Sequence, residues 1–388
     1  MAQLIAIIFL AAALGGCAAR KIDAKDELDR SIGRGVEFLV KSQNRDGSWG
    51  SATLTKGLNI YAPVPGAHHG FRAATTSLCV SALLETAPRG PGVPEALDRA
   101  EIFLFSYLPR VRRGELNALY NVWAHAYAIQ ALVRMLERPG VPAGAEAEAR
   151  RERIFELLRL QVRRLEQYEF LGGGWGYYEF EPFHFSRPAG DPNSFTTATV
   201  LIALHEARNA GVEVPQKMIE RGLAEVRRQR SPNFTYHYSR NWWQRPMGEI
   251  NRPAGSLGRS QACNASLRIW GDTAVTDAVL AQWLDRLFAR QGWLDMGRKR
   301  PVPHESWFYV AAYFYYYGHY YAAQCIELLP ADQRPRYQQM MAVTLMGHQE
   351  KDGSWFDFPF YAYHKPYGTA FALMSLGRCR DVRSLALP

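Results

Sequence analysis

Apolar residues along this chain recur mostly at intervals of three and four, the spacing that places side chains on one face of an α-helix. Ile32, Val36, Leu39 and Val40 are an example, and the chain has no long alternation of apolar and polar residues that would predict a β-strand. Stretches rich in glycine, proline and polar residues interrupt the pattern. It therefore predicts twelve helices, at about residues 28–43, 72–86, 95–108, 117–137, 145–168, 194–210, 215–230, 256–270, 274–290, 305–328, 333–349 and 366–378.

The predicted helices alternate between two kinds. The odd-numbered ones have a charged face, as at residues 151–167 and 277–290, whereas the even-numbered ones are small and apolar almost all round, as at 196–207. A helix that is apolar on all sides has to be buried, and an amphipathic helix can cover it from outside. Six hairpins of one outer and one inner helix can close into a ring. We therefore expect an all-α fold, an (α/α)6 toroid whose inner helices surround a central cavity.

The first residues have the pattern of an export signal. Residues 4–14 are continuously apolar but too short for a permanent membrane span, and polar sequence follows from Arg20. The end of this run, Leu-Gly-Gly followed by Cys17, resembles the bacterial lipobox, in which the cysteine receives lipid and becomes the mature N-terminus, although no Lys or Arg precedes the apolar run. We expect Cys17 to be the lipid attachment site. An ordinary cleaved signal peptide is the alternative.

These features divide the chain into a signal peptide at 1–16, a short linker at 17–27, a toroid domain at 28–380 and a tail at 381–388. The expected location is the bacterial cell envelope, with the N-terminal lipid holding the protein on a membrane. Disulfides can form in such an oxidising space. The other four cysteines lie in or just after apolar helical stretches, so free buried thiols are the first expectation and pairing stays open: Cys79, Cys263, Cys325 and Cys379.

A short motif recurs near the predicted outer helices. Residues 43–49 and 349–355 both read Gln-x-x-Asp-Gly-Ser-Trp, residues 167–175 are a looser copy, and residues 291–293 are a remnant. All four are expected just after an outer helix, where a glycine can adopt a positive φ angle. The glutamine amide can bond free backbone groups there, and the tryptophan can pack across the turn on the neighbouring hairpin.

The segment 34–49 has Arg-Gly, Phe-Leu, Gln and Gly-x-Trp in place, and it resembles the QW motif of terpenoid cyclases and protein prenyltransferases. The resemblance implies the same toroid over nearly the whole mature chain. It also implies that the motif residues have structural roles, which here would fall on Gln43, Trp49, Trp175, Gln349 and Trp355.

The chemistries of that family require residues that this chain lacks. Squalene–hopene cyclases protonate their substrate with an Asp-x-Asp-Asp motif, which is absent. Prenyltransferases hold zinc with an Asp-x-Cys pair and a distant histidine, but here Gln261 replaces the carboxylate before Cys263. A partial site of that cysteine with His304 or His364 would supply two ligands, so we expect no metal and no cofactor. Thioester, serine-hydrolase and phosphate-loop motifs are absent as well.

Polar and aromatic residues cluster at the starts of the predicted inner helices and in the loops before them, where they would converge on one mouth of the ring. Four are catalytic candidates, because histidine titrates near neutral pH and a neighbouring carboxylate can orient it: His68, His304, Glu305 and His364. Nine more are candidates for lining a ligand cavity: His69, Arg72, Trp123, His125, Asp191, Arg259, Trp307, Tyr313 and Tyr367. The alternative for each single residue is a helix cap or core packing.

The chain carries 46 lysines and arginines against 37 aspartates and glutamates, a net charge of +9. The basic residues are dispersed over outer helices and turns and no nucleic-acid-binding motif is present, so a nucleic acid partner is not expected. The charge could instead draw an envelope protein towards anionic lipid. Aromatic residues make up 13% of the chain, which fits either a ring-rich core or a ring-lined cavity.

Three functions remain open. The toroid could bind or act on an apolar, isoprenoid-like small molecule in its cavity, as the resemblance implies. It could instead be carbohydrate-active or polymer-binding, because polysaccharide lyases and hydrolases also use α/α barrels with clefts lined by tryptophan and tyrosine. It could also be a non-catalytic envelope scaffold whose cavity is filled by its own side chains. Fold alone does not decide among these, or whether the protein is an enzyme.

Overall fold

The computed structural model describes residues 24–55, 64–141, 143–179, 181, 187–240, 248–304 and 307–381. Over these residues the regular structure is helical, with isolated β-bridges but no strand. The same residues contain twelve α-helices, as predicted: α1 Ala24–Ser42, α2 Ala67–Thr86, α3 Val93–Tyr107, α4 Asn121–Leu136, α5 Ala145–Tyr168, α6 Ser194–Asn209, α7 Gln216–Arg228, α8 Leu257–Ile269, α9 Asp277–Gly297, α10 Phe314–Leu328, α11 Arg334–Met346 and α12 His364–Gly377.

The even-numbered helices form a closed inner ring. α2 packs against α4, each later inner helix packs against the next, and α12 packs back against α2. The odd-numbered helices surround this ring, and each packs on the inner helix that precedes it, so that α3 lies on α2 and α1 lies on α12. The fold is therefore the (α/α)6 toroid that the helix pattern predicted.

The distribution of apolar residues explains which helices are inside. α6 buries twelve of its sixteen residues, whereas α5 buries a single stripe that runs from Ile154 through Leu158 to Leu165. A helix without a polar face is stable only when it is covered on all sides. The inner position of α6 and the outer position of α5 follow from this difference.

The two ends of the ring differ in the length of their connections. The chain passes from each outer helix to the next inner helix through a long segment, such as 43–66 or 229–256, and returns through a short one, such as 87–92 or 210–215. All six inner helices therefore begin at the same end of the ring. We call it the long-loop end and the opposite one the short-loop end.

The ninth helix is longer than predicted. α9 continues to Gly297, so residues 291–293 lie inside it and not beyond an outer helix, as the motif comparison had placed them. The glycine at 292 suggested a helix end, but Leu287 and Leu294 are both buried and lie two turns apart on one face. This apolar stripe continues the helix through the glycine.

The tenth helix is shorter than predicted. It begins at Phe314, whereas the sequence pattern placed its start near residue 305. Phe308 and Tyr309 adopt positive φ angles of 63° and 52°, which an α-helix excludes. The residues before Phe314 instead form a loop beside the inner ring, together with the 3-10 helix Trp307–Tyr309.

Three turns, at residues 43–49, 169–175 and 349–355, share one geometry, and we call them the tryptophan turns. In each, the indole N–H donates to a carbonyl ten residues earlier, in the outer helix, at 2.7 Å. The backbone N–H of the same tryptophan donates to a threonine hydroxyl of the next inner helix. The glycines two residues before the tryptophans have φ angles of 86°, 92° and 86°. Each turn thus fastens an outer helix to the inner helix that follows it.

In the first and in the third tryptophan turn, an arginine from a neighbouring outer helix donates to the glutamine side chain. Arg99 of α3 donates to Gln43 Oε1 at 3.0 Å, and Arg34 of α1 donates to Gln349 Oε1. The amide nitrogens of the two glutamines each donate to two backbone carbonyls, one in their own turn and one in that neighbouring helix. These contacts join adjacent outer helices around the ring.

The second tryptophan turn uses a glutamate for the same purpose. Glu169 lies six residues before Trp175, the spacing that separates glutamine from tryptophan in the other two turns. It is fully buried and accepts from Arg221 of α7 at 2.8 Å. Gln167, with which the sequence comparison began this copy, is exposed. The repeat is therefore conserved in position between turns, but with a charged residue in the second one.

Ion pairs join the inner helices at the short-loop end. Arg134 of α4 pairs with Glu85 of α2 and, at 2.6 Å, with Glu206 of α6. Arg378, just after α12, pairs with Glu85 at 2.6 Å and with Glu327 of α10 at 2.8 Å. Burial alone would raise the pKa of Glu85, but the two arginines outweigh burial and lower it. This end of the ring is thus tied together by charge.

Several boundaries bear on the domain predictions. α1 begins at Ala24, four residues before the predicted start of the toroid domain. The predicted signal peptide, Cys17 and most of the tail lie outside the described residues, so these expectations stay predictions. In the part of the chain that the structure describes, no helix is both long and apolar enough to cross a membrane. The four cysteines of these ranges are buried and unpaired: Cys79, Cys263, Cys325 and Cys379.

Candidate functional site

A cavity of about 570 Å³ lies at the long-loop end, among the first turns of the inner helices. Five inner helices and five of the loops that precede inner helices contribute to its wall. The lining residues are Phe71, Ala74, Thr75, Leu78, Tyr120, Trp123, Tyr127, Tyr177, Tyr178, Phe195, Tyr238, Pro303, His304, Tyr313, Phe314, Tyr317, Phe358, Phe360, Tyr363, Tyr367 and Phe371.

Aromatic rings make up most of this wall. Sixteen of the 21 lining residues that the structure describes are Phe, Tyr or Trp, and none of the 21 is Lys, Arg, Asp or Glu. The rings also pack on one another: the centroid of Phe195 lies 5.0 Å from that of Phe314 and 5.1 Å from that of Tyr238, both at steep angles. Such edge-to-face pairs add about 0.5–1.5 kcal/mol each beyond area burial. The wall is therefore pre-formed and favours apolar ligand surface.

Four polar side chains of the wall form one connected chain, which we call the hydroxyl chain. His304 Nδ1 lies 2.6 Å from the Tyr309 carbonyl oxygen, and its Nε2 lies 3.2 Å from the Tyr313 hydroxyl. The Tyr313 hydroxyl lies 3.3 Å from that of Tyr238, which contacts the Tyr177 hydroxyl. Burial lowers the pKa of His304, so the ring is neutral at neutral pH. Because a carbonyl can only accept, Nδ1 carries the proton and Nε2 is the acceptor.

Backbone strain is concentrated beside this chain. His304 has a φ angle of 60°, and Phe308 and Tyr309, a few residues later, have angles of 63° and 52°. Left-handed conformations of such residues cost about 1–3 kcal/mol each and persist where the surroundings fix them. Here the strain brings the Tyr309 carbonyl within hydrogen-bond distance of the His304 ring and orients that ring towards Tyr313.

Arg259 of α8 lies directly behind this part of the wall. Its guanidinium is buried and donates to three backbone carbonyls in the segment before α8. It also lies 5.4 Å from the ring centroid of Tyr238 and 5.7 Å from that of Phe314. Burial lowers the pKa of Arg259 to about 10, which leaves it charged at neutral pH. This predicted cavity residue is therefore separated from the cavity by two rings.

A buried carboxyl lies behind another part of the wall. Asp357 accepts from the backbone N–H of Tyr316 at 3.0 Å and from the hydroxyl of Tyr367, a lining residue, at 2.8 Å. Burial raises the pKa of Asp357 to about 6, because these neutral donors offset only part of the desolvation. The carboxyl thus titrates near neutral pH, one hydroxyl away from the cavity.

The four catalytic candidates do not converge on one point. His304 lines the cavity. His68 and His364 are not among the lining residues and lie on either side of Tyr361: the His68 ring packs edge-on against its ring at 4.7 Å, and His364 Nδ1 donates to its carbonyl at 2.5 Å. Burial lowers the pKa of both histidines. Glu305 lies outside the described residues.

Three of the nine predicted lining residues lie on the cavity wall: Trp123, Tyr313 and Tyr367. His125 is fully buried between α4 and α5, where its Nδ1 lies 2.7 Å from Gln161 Oε1. The reason is helical geometry, because a residue two positions after Trp123 points to the opposite face of α4. His125 is therefore part of the contact between inner and outer helices.

The other predicted lining residues lie around the cavity. Arg72 is paired with Asp46 in the first tryptophan turn, and His69 is exposed with Nδ1 2.7 Å from the Tyr107 hydroxyl. His69 lies two positions before the lining residue Phe71 and Arg72 directly follows it, but the turn of α2 directs both side chains outwards. Asp191, which is half-buried before α6, and Arg259 are not lining residues of the described wall. The backbone of Trp307 begins a 3-10 helix, and its side chain lies outside what the structure describes.

Sequence reasoning missed several residues of the site. Tyr177 and Tyr238 lie in the loops before α6 and α8, the kind of position from which the other candidates were chosen, so a signal for them was present. Asp357 also lies in such a loop, before α12, but the sequence does not show that its side chain is buried. Its complete burial depends on how the loop before α12 packs against α10.

No group of three or more His, Cys, Asp or Glu side chains in the described ranges is arranged to hold a metal ion. Cys263, which the sequence analysis considered with two histidines, is buried in α8. Burial raises the pKa of its thiol to about 12. A thiol with this pKa is protonated at neutral pH and is a poor metal ligand.

No protein-family model matches the chain, and no curated protein is significantly similar to it in sequence. Solved structures share its fold. A type II terpene cyclase from Scytonema is similar with a TM-score of 0.51 and 14% identity, over 91% of this chain and 98% of the other. Cellobiose 2-epimerase from Spirochaeta thermophila is similar with a TM-score of 0.57 and 16% identity, over 92% and 97% of the two chains.

A family 76 glycoside hydrolase from a bovine Bacteroides thetaiotaomicron strain is similar with a TM-score of 0.52 and 11% identity, over 91% of this chain and 76% of the other. At such identities the similarity concerns the fold alone. It confirms the α/α toroid, a fold that terpene cyclases and carbohydrate-active enzymes share. The chain is therefore an α/α toroid protein, and its function has to be argued from its own cavity.

Proposed function

We propose that this protein binds an apolar, isoprenoid-like small molecule in its central cavity. The observation that supports this most strongly is the wall, with sixteen aromatic rings and no charged side chain among the lining residues described. Burying hydrocarbon against such a wall contributes about 25 cal/mol for each Å² removed from water. The volume of about 570 Å³ lies within the range of roughly 300–1,000 Å³ that is typical of small-molecule sites.

The isoprenoid character of the ligand is supported by two further points. The tryptophan turns resemble a motif of terpenoid cyclases and prenyltransferases. A variant of the Scytonema terpene cyclase has been solved with geranylgeranyl dihydroxybenzoate as its substrate, in a toroid with a TM-score of 0.50 to this one. We assign binding and no reaction, because the acid motif of squalene–hopene cyclases is absent from this sequence.

A carbohydrate is the second candidate ligand. Several of the similar structures are carbohydrate-active proteins, and tyrosine and tryptophan rings can stack on sugar rings. A buried sugar, however, has several hydroxyl groups that each need a hydrogen-bond partner. The described wall has no Asp, Glu, Asn or Gln side chain. Its polar groups are mainly tyrosine hydroxyls, several of which already donate their protons within the protein, and this favours the apolar ligand.

We further propose that the protein is exported and held on a membrane of the bacterial cell envelope by a lipid on Cys17. The support is the sequence of the first residues alone, with an apolar run that ends in Leu-Gly-Gly-Cys. A scaffold that binds no ligand is the remaining alternative for the toroid itself.

The test is native mass spectrometry of the full chain, purified from membranes and incubated with a C20 isoprenoid or with cellobiose. We expect a one-to-one isoprenoid complex that Ala74→Phe reduces at least about tenfold, because Ala74 lines the cavity and the added ring fills it. The control is Ala278→Phe on the exposed face of α9. A cellobiose complex that is lost in Ala74→Phe would favour the second candidate. If neither probe forms a complex, a scaffold that binds no ligand is the remaining interpretation.

A further inference from the structure

The direction of the hydroxyl chain follows from its fixed end. Because neutral His304 accepts at Nε2, the Tyr313 hydroxyl donates its single proton there. The Tyr313 oxygen then accepts from Tyr238, and the Tyr238 oxygen accepts from Tyr177. Every hydroxyl proton of the chain is thus directed towards His304. Tyr177 lies at the far end of the chain. Its hydroxyl oxygen has a lone pair that can accept a hydrogen bond from a ligand.

Other tyrosines of the wall also use their protons within the protein. Tyr317 donates to the carbonyl of Phe195 at 3.0 Å, and Tyr367 donates to the carboxylate of Asp357 at 2.8 Å. Both oxygens keep lone pairs that can accept, although one on Tyr317 already accepts from the Thr199 hydroxyl at 3.0 Å. These parts of the wall therefore offer hydrogen-bond acceptors to the cavity.

We propose that the ligand is a largely hydrocarbon molecule with one hydroxyl group, which donates a hydrogen bond to Tyr177 at the open end of the hydroxyl chain. This inference rests on the proposed function and deepens it by naming the polar group of the ligand. A pure hydrocarbon would cover the Tyr177 oxygen without giving it a donor, and a buried polar atom without a partner weakens binding. The contacts of 3.2 and 3.3 Å in the chain are long enough for a bound donor to shorten them.

Charge argues against other polar groups at this place. A phosphate or carboxylate would face oxygen lone pairs, with no lysine or arginine on the described wall to neutralise it. An ammonium group could donate, but the charged Arg259 lies behind the rings of Tyr238 and Phe314 and repels a cation. A neutral hydroxyl group avoids both costs.

The experiment compares three probes of the same skeleton: a C15 isoprenoid alcohol, its methyl ether and the corresponding hydrocarbon. The ether keeps the oxygen but has no proton to donate. We expect the full-length protein to bind the alcohol about tenfold more tightly than either of the others, the effect of one net hydrogen bond. Affinities are measured by quenching of tryptophan fluorescence, since Trp123 lines the cavity.

Tyr177→Phe keeps the ring and removes the acceptor. In this variant we expect the preference for the alcohol over the ether to fall to about twofold or less, with the affinity for the ether unchanged. The matched control is Tyr337→Phe on α11, which removes a hydroxyl that bonds Asp285, outside the cavity. If the ether binds as tightly as the alcohol, or if Tyr177→Phe retains the preference, the inference is overturned while the proposed function stands. If none of the three probes binds, the proposed function fails.

Discussion

Two buried carboxylates of this protein have opposite pKa shifts. Burial raises the pKa of Asp357 to about 6, because its partners are a backbone N–H and a tyrosine hydroxyl. For Glu85 the same effect of burial is outweighed by two arginines, and the pKa is lowered. Their contributions to stability therefore depend on pH with opposite signs: that of Glu85 is lost as the pH falls, and that of Asp357 is lost as the pH rises.

The titration of Asp357 leads to a prediction about stability. The folded state keeps this proton up to about pH 6, whereas the unfolded chain loses it near the ordinary value of 3.8. Folding is therefore disfavoured by about 2 kcal/mol on passing from pH 4 to pH 7. In Asp357→Asn this pH-dependent loss of stability is absent, because an amide does not titrate. We expect the free energy of unfolding of the variant, relative to the wild type, to increase by about 2 kcal/mol over that interval.

Urea unfolding at several pH values measures this difference. The control is Asp332→Asn in the exposed turn before α11, which should follow the wild type at every pH. Parallel stability curves for Asp357→Asn and the wild type would contradict the raised pKa.

At the residue scale, sequence predicted position better than orientation. Trp123, Tyr313 and Tyr367 were chosen because they lie near the start of an inner helix, and they line the cavity. His125 was chosen for the same reason, yet it points away, because two residues along a helix correspond to a rotation of roughly 200°. Assigning a face within a helix that is buried all round requires the neighbouring helices, since hydrophobicity alone does not distinguish its sides.

Among the elements, each tryptophan turn links neighbouring outer helices through one side chain, which is fully buried in the second turn. Glu169 accepts hydrogen bonds from Arg221 and Arg187, and its carboxylate is fully buried. The other two turns have glutamine at this position and an arginine as its partner. An amide oxygen can therefore hold the arginine in this geometry.

This comparison predicts unequal effects of two substitutions. Glu169→Ala should lower the free energy of unfolding by about 2–3 kcal/mol, because it removes the acceptor and leaves a cavity. Glu169→Gln should cost about 1 kcal/mol or less, because the amide still accepts from Arg221. Both are measured by urea unfolding against Glu166→Ala, an exposed position of α5 expected to change stability by less than about 0.5 kcal/mol. Equal losses for the two Glu169 variants would show that charge, and not the acceptor, matters there.

The sequence predicted the number and order of the helices because their two kinds differ strongly in hydrophobicity. The predicted start of α10 was wrong. Phe308 and Tyr309 have positive φ angles, and the sequence gives no indication of this because aromatic residues rarely adopt such angles. The prediction was also wrong about residues 291–293, where a single glycine does not end a helix whose apolar stripe continues. Both errors are local, and neither alters the pairing of outer and inner helices.

For the molecule as a whole, the first helix of the described chain begins at the end of the ring opposite the cavity. α1 runs from the short-loop end towards the loop before α2. Asp29, near its start, lies 3.6 Å from Arg380, which follows α12 and donates to the carbonyl of Thr86 at the end of α2. Position 17 lies only seven positions before Ala24, a reach of about 25 Å at full extension. A lipid on Cys17 would therefore hold the short-loop end towards the membrane.

This geometry predicts that the cavity opens away from the anchoring bilayer, so that a ligand enters it from the aqueous side. Fluorophores on Arg89→Cys in a short loop and on Leu116→Cys in a long loop would report the orientation, since both positions are exposed and the native cysteines of the described ranges are buried. We expect quenchers in the bilayer to affect the first label more than the second. Cys17→Ser should move the protein from the membrane to the soluble fraction and abolish both signals. Stronger quenching of the second label would mean that the mouth faces the lipid, and a membrane-bound Cys17→Ser variant would rule out the lipid as the anchor.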